Sequence, residues 1–212
     1  MNTKTGSWQF DAGVASTFVA HARQHIPNYD LVINKCVDLV NNKLGQFDRI
    51  IDVGCATGET IRRLHTAGFL NLTGVEASAA MLSHCDRNIA RLIHSDRFPQ
   101  ETFDAVLCNW TLHFVPDKMK YLADIYANLS KSGFMVLSDK TSLDPVCIDH
   151  YHKWKHSQGV AWPDILAKEA AVKGIMYIDS PEWYINALTQ VGFSNVRIID
   201  ASWCFTTFLC TK

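Results

Sequence analysis

Short apolar runs alternate with amphipathic stretches through the middle of the chain. Arg49–Val53, Leu72–Glu76, Arg91–His94, Phe103–Asn109 and Phe134–Ser138 are four to seven residues long, mostly apolar, and read as strands. Between them, Glu59–Ala67, Ser78–Asn88 and Pro116–Leu129 carry helical periodicity. Gly68 closes the first of these helices, Ser78 is placed to cap the second, and Pro116 falls in the first turn of the third. Upstream, residues 10–43 read as helical, with Leu31, Val32, Cys36, Leu39 and Val40 near one face and Pro27-Asn28 as a start signal. Strands that alternate with helices over about 90 residues predict a parallel, doubly wound α/β sheet. Such sheets bind ligands at the carboxyl ends of their strands.

After Lys140 the rhythm changes. Residues 143–178 read as a helical insertion after strand five, rich in His, Trp and Lys. A helix follows over Pro181–Val191, ended by Gly192. Val196–Ile199 and Trp203–Cys210 then predict an antiparallel pair at the sheet edge. No repeat, low-complexity tract or linker divides the 212 residues, so one domain is expected over 1–212. An N-terminal helical cap is expected at about 8–45 and a helical lid at about 143–178.

Composition narrows the classes. Twenty Lys and Arg against 21 Asp and Glu argue against a broad polyanion-binding face, so nucleic acid is not the expected partner. The absence of a long apolar run argues against membrane insertion, and the polar start MNTKTGSWQFD has no secretory h-region. Seven cysteines without a CxxC pair fit free thiols in a reducing cytoplasm. The oligomeric state is open, a homodimer included.

The chemistry concentrates in Ile50-Ile51-Asp52-Val53-Gly54-Cys55-Ala56-Thr57-Gly58-Glu59. A strand runs into a two-glycine turn and then into a helix whose N-terminus suits a carboxylate or phosphate. Glu76 ends the next strand, placed to accept hydrogen bonds from a ribose. Glycine turn and acid together indicate a nucleoside-type cofactor. A dinucleotide fingerprint is missing, because position 56 is Ala and no third glycine falls in register. A phosphate loop of the ATPase kind is also missing.

This run resembles motif I of class I S-adenosylmethionine (SAM)-dependent methyltransferases, with Ala56 in place of the central glycine. Glu76-Ala77-Ser78 with Met81, Asp96, and Phe103-Asp104-Ala105-Val106 leading to Asn109-Trp110 follow that family's order. The resemblance covers about residues 48–140. It implies SAM as cofactor, a Rossmann-like sheet that is mostly parallel with an antiparallel edge strand, and a cofactor site drawn from Asp52, Gly54, Cys55, Ala56, Gly58, Glu76, Ala77, Met81, Asp96, Arg97, Asn109 and Trp110. Asp52 could orient the turn or meet the methionine ammonium, and Asp96 the adenine amino group.

A narrower resemblance is to the carboxy-SAM synthases of transfer-RNA wobble-uridine modification. It is carried by Gly6 to Asp11, Ile26-Pro27-Asn28-Tyr29, Asn109 to Phe114, Val136 to Lys140, and Ile178-Asp179-Ser180 with Gly192-Phe193. It implies that Tyr29 contacts the cofactor. One position departs: where that family has a carboxylate-holding arginine, spacing puts Glu169, and only Lys153, Lys155, Lys168 or Lys173 could substitute. The expectation is therefore a methyltransferase that takes plain SAM and a small-molecule acceptor. A carboxy-SAM synthase-like enzyme using SAM and prephenate, and a non-catalytic SAM-binding partner protein, are the alternatives.

Three residues are candidates for the chemistry. His113 could act as a general base, Trp110 could face the sulfonium with its π system, and Tyr29 could close over the cofactor. Each could equally be a packing residue. Asn109-Trp110 is not N-P-P-Y, which makes planar amide or nucleobase nitrogens less expected as acceptors. His150, His152 and His156 with Lys153, Trp154 and Lys155 form a basic-aromatic cluster. His152 and His156 lack an evident third ligand, so no metal is expected. His21 and His25 repeat the spacing.

Overall fold

The computed structural model describes residues 12–212, so the part of the expected cap and of the resemblance that falls on residues 6–11 lies outside it. Helices α1 (Ala12–His25) and α2 (Tyr29–Lys43) come first. The alternating core follows as β1 (Ile50–Val53), α3 (Glu59–Thr66), β2 (Leu72–Glu76), α4 (Ala79–Leu82), β3 (Arg91–His94), β4 (Phe103–Asn109), α5 (Lys118–Ala127) and β5 (Leu129–Lys140). Helices α6 (Pro145–Ser157) and α7 (Trp162–Val172) form the insertion after β5. Helix α8 (Pro181–Val191) and the hairpin β6 (Asn195–Ser202) and β7 (Phe205–Thr211) complete the chain.

The seven strands lie in the order β3-β2-β1-β4-β5-β7-β6. The first five run parallel, and β7 enters antiparallel against β5 with β6 antiparallel outside it. The expected doubly wound sheet with an antiparallel edge is therefore observed. Both faces of the central strands are covered, which is why they read as unbroken apolar runs. Ile51, Val53, Val106, Cys108, Met135 and Leu137 pack under α5 and α8, against Leu122, Ile125, Tyr184 and Leu188. The alternate residues Ile50, Ala105, Leu107, Phe134 and Val136 pack under α2 and α3, against Cys36, Val40, Ile61 and Leu64.

Several boundaries differ from the sequence expectation, β6 among them, which runs Asn195–Ser202. The helix expected over Ser78–Asn88 is a single turn, Ala79–Leu82. Ser78 does cap it, its hydroxyl accepting from Met81 N–H at 3.2 Å. Beyond Leu82, Asp86 accepts from the Asn88 N–H at 2.8 Å, and this local bond competes with helix continuation. Pro116 lies before the cap of α5 rather than in its first turn, because Asp117 caps the helix by accepting from Lys120 N–H. Strand β5 starts at Leu129, five residues early, since Leu129 pairs with Phe103 and an irregularity carries the chain past Gly133 to the Phe134–Ala105 pair. Trp203, expected in the last strand, occupies the β6–β7 turn with φ +49°.

Candidate functional site

A cavity of about 920 Å³ opens at the carboxyl ends of β1, β2, β4 and β5. Helices α1, α6 and α7 close it from above. Its size lies near the upper end of the ~300–1,000 Å³ usual for small-molecule sites.

The floor is the turn after β1. Gly54 has φ +67°, and its N–H donates to Val75 O at 2.8 Å. A Cβ here would fall 2.1 Å from Thr111 Oγ1, so the loop after β4 seats directly on a bare backbone. Ala56 is also left-handed, with φ +48°, a conformation that costs an alanine roughly 1–2 kcal/mol. Two contacts hold it: its N–H donates to Glu76 Oε2 at 3.0 Å, and its carbonyl accepts from Cys85 Sγ at 3.2 Å. Gly58, with φ +81°, precedes α3 at the cap position and does not line the cavity.

Glu76 binds two backbone N–H groups, Ala56 through Oε2 and Ser78 through Oε1 at 2.7 Å. It ties β2 to the glycine turn and keeps further lone pairs on both oxygens for a ligand. Asp52 is 3% exposed and lines the cavity. Burial pushes its carboxyl well above the usual range, and only the Thr60 hydroxyl opposes this. Ala77 and Met81 line the wall beside Val75, and Asp96 reaches the rim from the exposed loop after β3. Arg97 is exposed and does not line the cavity.

Asn109, buried at the end of β4, meets Cys36 Sγ through its side-chain amide at 3.7 Å. Trp110 turns into the left-handed region, φ +55°, while its N–H donates to Ser138 O at 2.6 Å. That turn lays its ring against Tyr29 of α2, with centroids 4.9 Å apart and planes 24° apart. Both rings line the cavity with Asn109 and His113. Burial also raises the Tyr29 phenol above its usual range, so it stays protonated.

His113 sits in the short 3₁₀ turn Leu112–Phe114 and is 4% exposed. Its Nδ1 hydrogen-bonds to Oδ1 of Asp139, a fully buried carboxylate near the end of β5. The second oxygen of Asp139 accepts from the Tyr184 hydroxyl at 2.5 Å. Sequence reasoning missed both Asp139 and Tyr184. The one available signal was an acid at the carboxyl end of a parallel strand, in Ser138-Asp139-Lys140.

The upper wall is cationic. Lys140 of β5, Lys155 of α6 and Lys168 of α7 line it with His21, His25, His152 and Glu169. Burial, then the neighbouring Lys140 ammonium, lowers Lys155 to about 8. Burial, then Lys155 and Lys140, lowers Lys168 to about 8. Lys155 is 6% exposed and, among the described residues, has no carboxylate in ion-pair contact. Its Nζ lies over the Tyr151 ring at 4.4 Å. Lys168 reaches His21 Nε2 at 2.5 Å. Glu169 pairs with His152 at 3.2 Å. Of the four lysines that could replace the family's arginine, Lys155 and Lys168 line the cavity, and Lys153 pairs with Asp149 on the exposed face of α6.

The basic-aromatic cluster is split by the structure. His150 stacks on Trp203 and His156 on Trp162, while His152 and Lys155 line the cavity. Among the described residues, no three His, Cys, Asp or Glu gather as a metal site would require. No helix of the described residues is long and apolar enough to cross a membrane.

Comparison with known proteins places this architecture. A family model described as a methyltransferase domain matches residues 21–198. The carboxy-S-adenosyl-L-methionine synthase of Actinobacillus pleuropneumoniae serotype 7 is 27% identical, over 99% of this chain and 95% of its own. Among solved structures, an S-adenosylmethionine-dependent methyltransferase from Mesorhizobium loti superposes with TM-score 0.61 at 18% identity, over 85% of this chain and all of that one. Magnesium protoporphyrin IX methyltransferase from Synechocystis, with bound S-adenosylhomocysteine, superposes with TM-score 0.65 at 12% identity, over 90% and 86%.

Proposed function

Because the chain belongs to the methyltransferase-domain family, whose model covers residues 21–198, we propose that this SAM-dependent methyltransferase transfers its methyl group to a small-molecule acceptor in the cavity above β1 and β4. The observation that carries the reading is the single cavity wall shared by the Gly54 turn, Glu76, Trp110 and His113. When bound, SAM supplies a methyl group already activated by its sulfonium.

The residues present fit that cofactor. Burial pushes the Asp52 carboxyl well above the usual range, and an ammonium beside it would favour its charged form. Glu76 would accept from the ribose, and Asp96 at the rim would meet the adenine amino group. Gly54, Cys55, Ala56, Ala77, Met81 and Asn109 would form the walls, with Gly58 setting the entry of α3. The stacked Tyr29 and Trp110 rings would present π faces to the sulfonium. What remains for the protein is alignment and exclusion of water, and a group to take a proton when the acceptor must lose one. Helices α6 and α7 would act as the lid of the single domain 1–212. The seven cysteines are all free and six are buried, which supports a reducing cytoplasm. The cationic upper wall favours an acceptor that carries negative charge.

A second reading has one specific observation in its favour. Lys155 and Lys168 stand beside Glu169 at the cavity, so the positive charge removed at position 169 is partly returned by neighbours. That keeps carboxy-SAM synthase-like chemistry, the activity named for the 27% identical relative, as the alternative. Incubating the protein with SAM and prephenate and weighing the nucleoside products separates the two. S-adenosylhomocysteine formed only with a methyl acceptor supports methyl transfer. A product heavier than SAM by a carboxyl group would replace that reading with the second.

A further inference from the structure

We propose that His113 is the general base of this enzyme, held by Asp139, and that the acceptor atom is a hydroxyl oxygen. The inference rests on the methyl-transfer reading above and narrows its substrate class.

The geometry begins with Asp139. It is fully buried, and both of its oxygens accept hydrogen bonds, one from Tyr184 and one from His113 Nδ1. A carboxylate only accepts, so it draws the imidazole proton to Nδ1. The lone pair is then on Nε2, which has no protein partner among the described residues. His113 lines the same cavity as the Gly54 turn and Trp110. Tyr184 is itself fully buried on the inner face of α8 and holds the second carboxylate oxygen. A neutral imidazole backed by a buried carboxylate can take a proton and hold the resulting charge.

The acceptor class follows from what a base is for. A neutral amine attacks first and sheds its proton afterwards. A neutral hydroxyl is a poor nucleophile and must lose its proton as it attacks. In the step, the O–H proton passes to His113 Nε2 and the oxygen electron pair forms the new bond to the methyl carbon. The carbon–sulfur pair stays on sulfur, which leaves as a neutral thioether. His113 then carries one positive charge opposite Asp139 and returns its proton to solvent. The absence of an N-P-P-Y run after β4, where Asn109-Trp110 stands, agrees with an acceptor other than a planar amide or nucleobase nitrogen.

Two measurements test this. The first needs no acceptor: ¹⁵N spectra of the histidine rings in the protein, assigned by His113→Gln. The expected state is Nδ1–H with a bare Nε2, and Asp139→Asn inverts it because the amide can donate to Nδ1. An Nε2–H ring in the unaltered protein would overturn the proposal. The second uses SAM with a labelled methyl group and a panel of phenol, catechol, 4-hydroxybenzoate, benzylamine and benzyl mercaptan. Label is expected on a hydroxyl oxygen. His113→Gln and Asp139→Asn should each lower kcat about 100-fold or more while the KM for SAM stays within about twofold, the range expected for loss of a general base. Tyr184→Phe, which keeps the ring in the core, should give a smaller loss of about tenfold. Label on nitrogen or sulfur, no label on any hydroxyl, or His113→Gln with kcat within about threefold overturns it. Calorimetric SAM binding is run in parallel: loss of SAM binding would sink the methyl-transfer reading itself, whereas binding without hydroxyl transfer sinks only this inference.

Discussion

Asp52 illustrates how one carboxyl can be costly to the empty fold and useful to a ligand. It stands in β1 with Thr60 as its hydroxyl partner, and burial pushes its carboxyl well above the usual range. An amide of the same shape should therefore cost the empty protein little stability, while a ligand ammonium would lose its counter-charge. Asp52→Asn is expected to weaken SAM binding roughly 10- to 100-fold, the ~1.5–3 kcal/mol of a charged hydrogen bond, with the urea midpoint nearly unchanged. Calorimetry with SAM checks this, and unaltered affinity would remove Asp52 from the site. Lys155 makes the converse case. Its ammonium is buried close to those of Lys140 and Lys168 with no carboxylate in ion-pair contact among the described residues, so Lys155→Met should stabilise the empty protein at pH 7 by about 1 kcal/mol. The same variant should bind anionic acceptors more weakly. A drop in denaturation midpoint would show that the Tyr151 contact outweighs the repulsion.

Helices α2 and α3 share an apolar cluster through Cys36, Val40, Ile61 and Leu64, and Arg63 joins them at the surface. From α3 it reaches Asp30 and Asn34 of α2 and also Glu59 one turn back, with Nη1 to Asn34 Oδ1 at 2.8 Å and Nε to Glu59 Oε1 at 2.9 Å. The N-terminus of α3 abuts the glycine turn, and α2 carries Tyr29, so this clamp sets one side of the cavity. Arg63→Met should lower stability by about 1 kcal/mol, since the side chain is only 22% exposed and its loss leaves Asp30 with Arg23 and Glu59 with Arg62 as their remaining partners. Chemical denaturation reads the change, and a shift under a few tenths of a kcal/mol would show the helices to be held by their apolar faces. At this scale the chain was largely readable. Strand and helix positions follow local periods of two and 3.6, and the misreadings fell at ends, where a side chain such as Asp117 or Asp86 decides the matter.

Across the whole molecule the cationic wall links the lid to acidity. Burial and nearby lysines lower His21 and His25 to about 4. Between the free-histidine value of about 6.5 and about 4, the unfolded chain binds protons that the folded chain refuses, so stability falls as pH falls. A thermal-unfolding series from pH 7 to 4.5 should show this loss, and a His21→Gln, His25→Gln double variant should flatten it. An equally steep loss in the double variant would assign the acid sensitivity elsewhere.

Sequence alone determined the alternating sheet, its antiparallel edge, the glycine turn with Glu76, and the family they indicate. Each is written in neighbouring residues, because backbone conformation and burial pattern are local properties of the chain. The tertiary structure decided what those elements bring together. His113 meets Asp139 across 26 residues and, through it, Tyr184 of a helix on the far side of the insertion. Lys140, Lys155 and Lys168 converge from one strand and two lid helices, and Trp110 finds Tyr29 only when α2 folds over β4. No periodicity records such meetings. They depend on strand order and helix packing, which set distances that the spacing of residues along a chain does not contain.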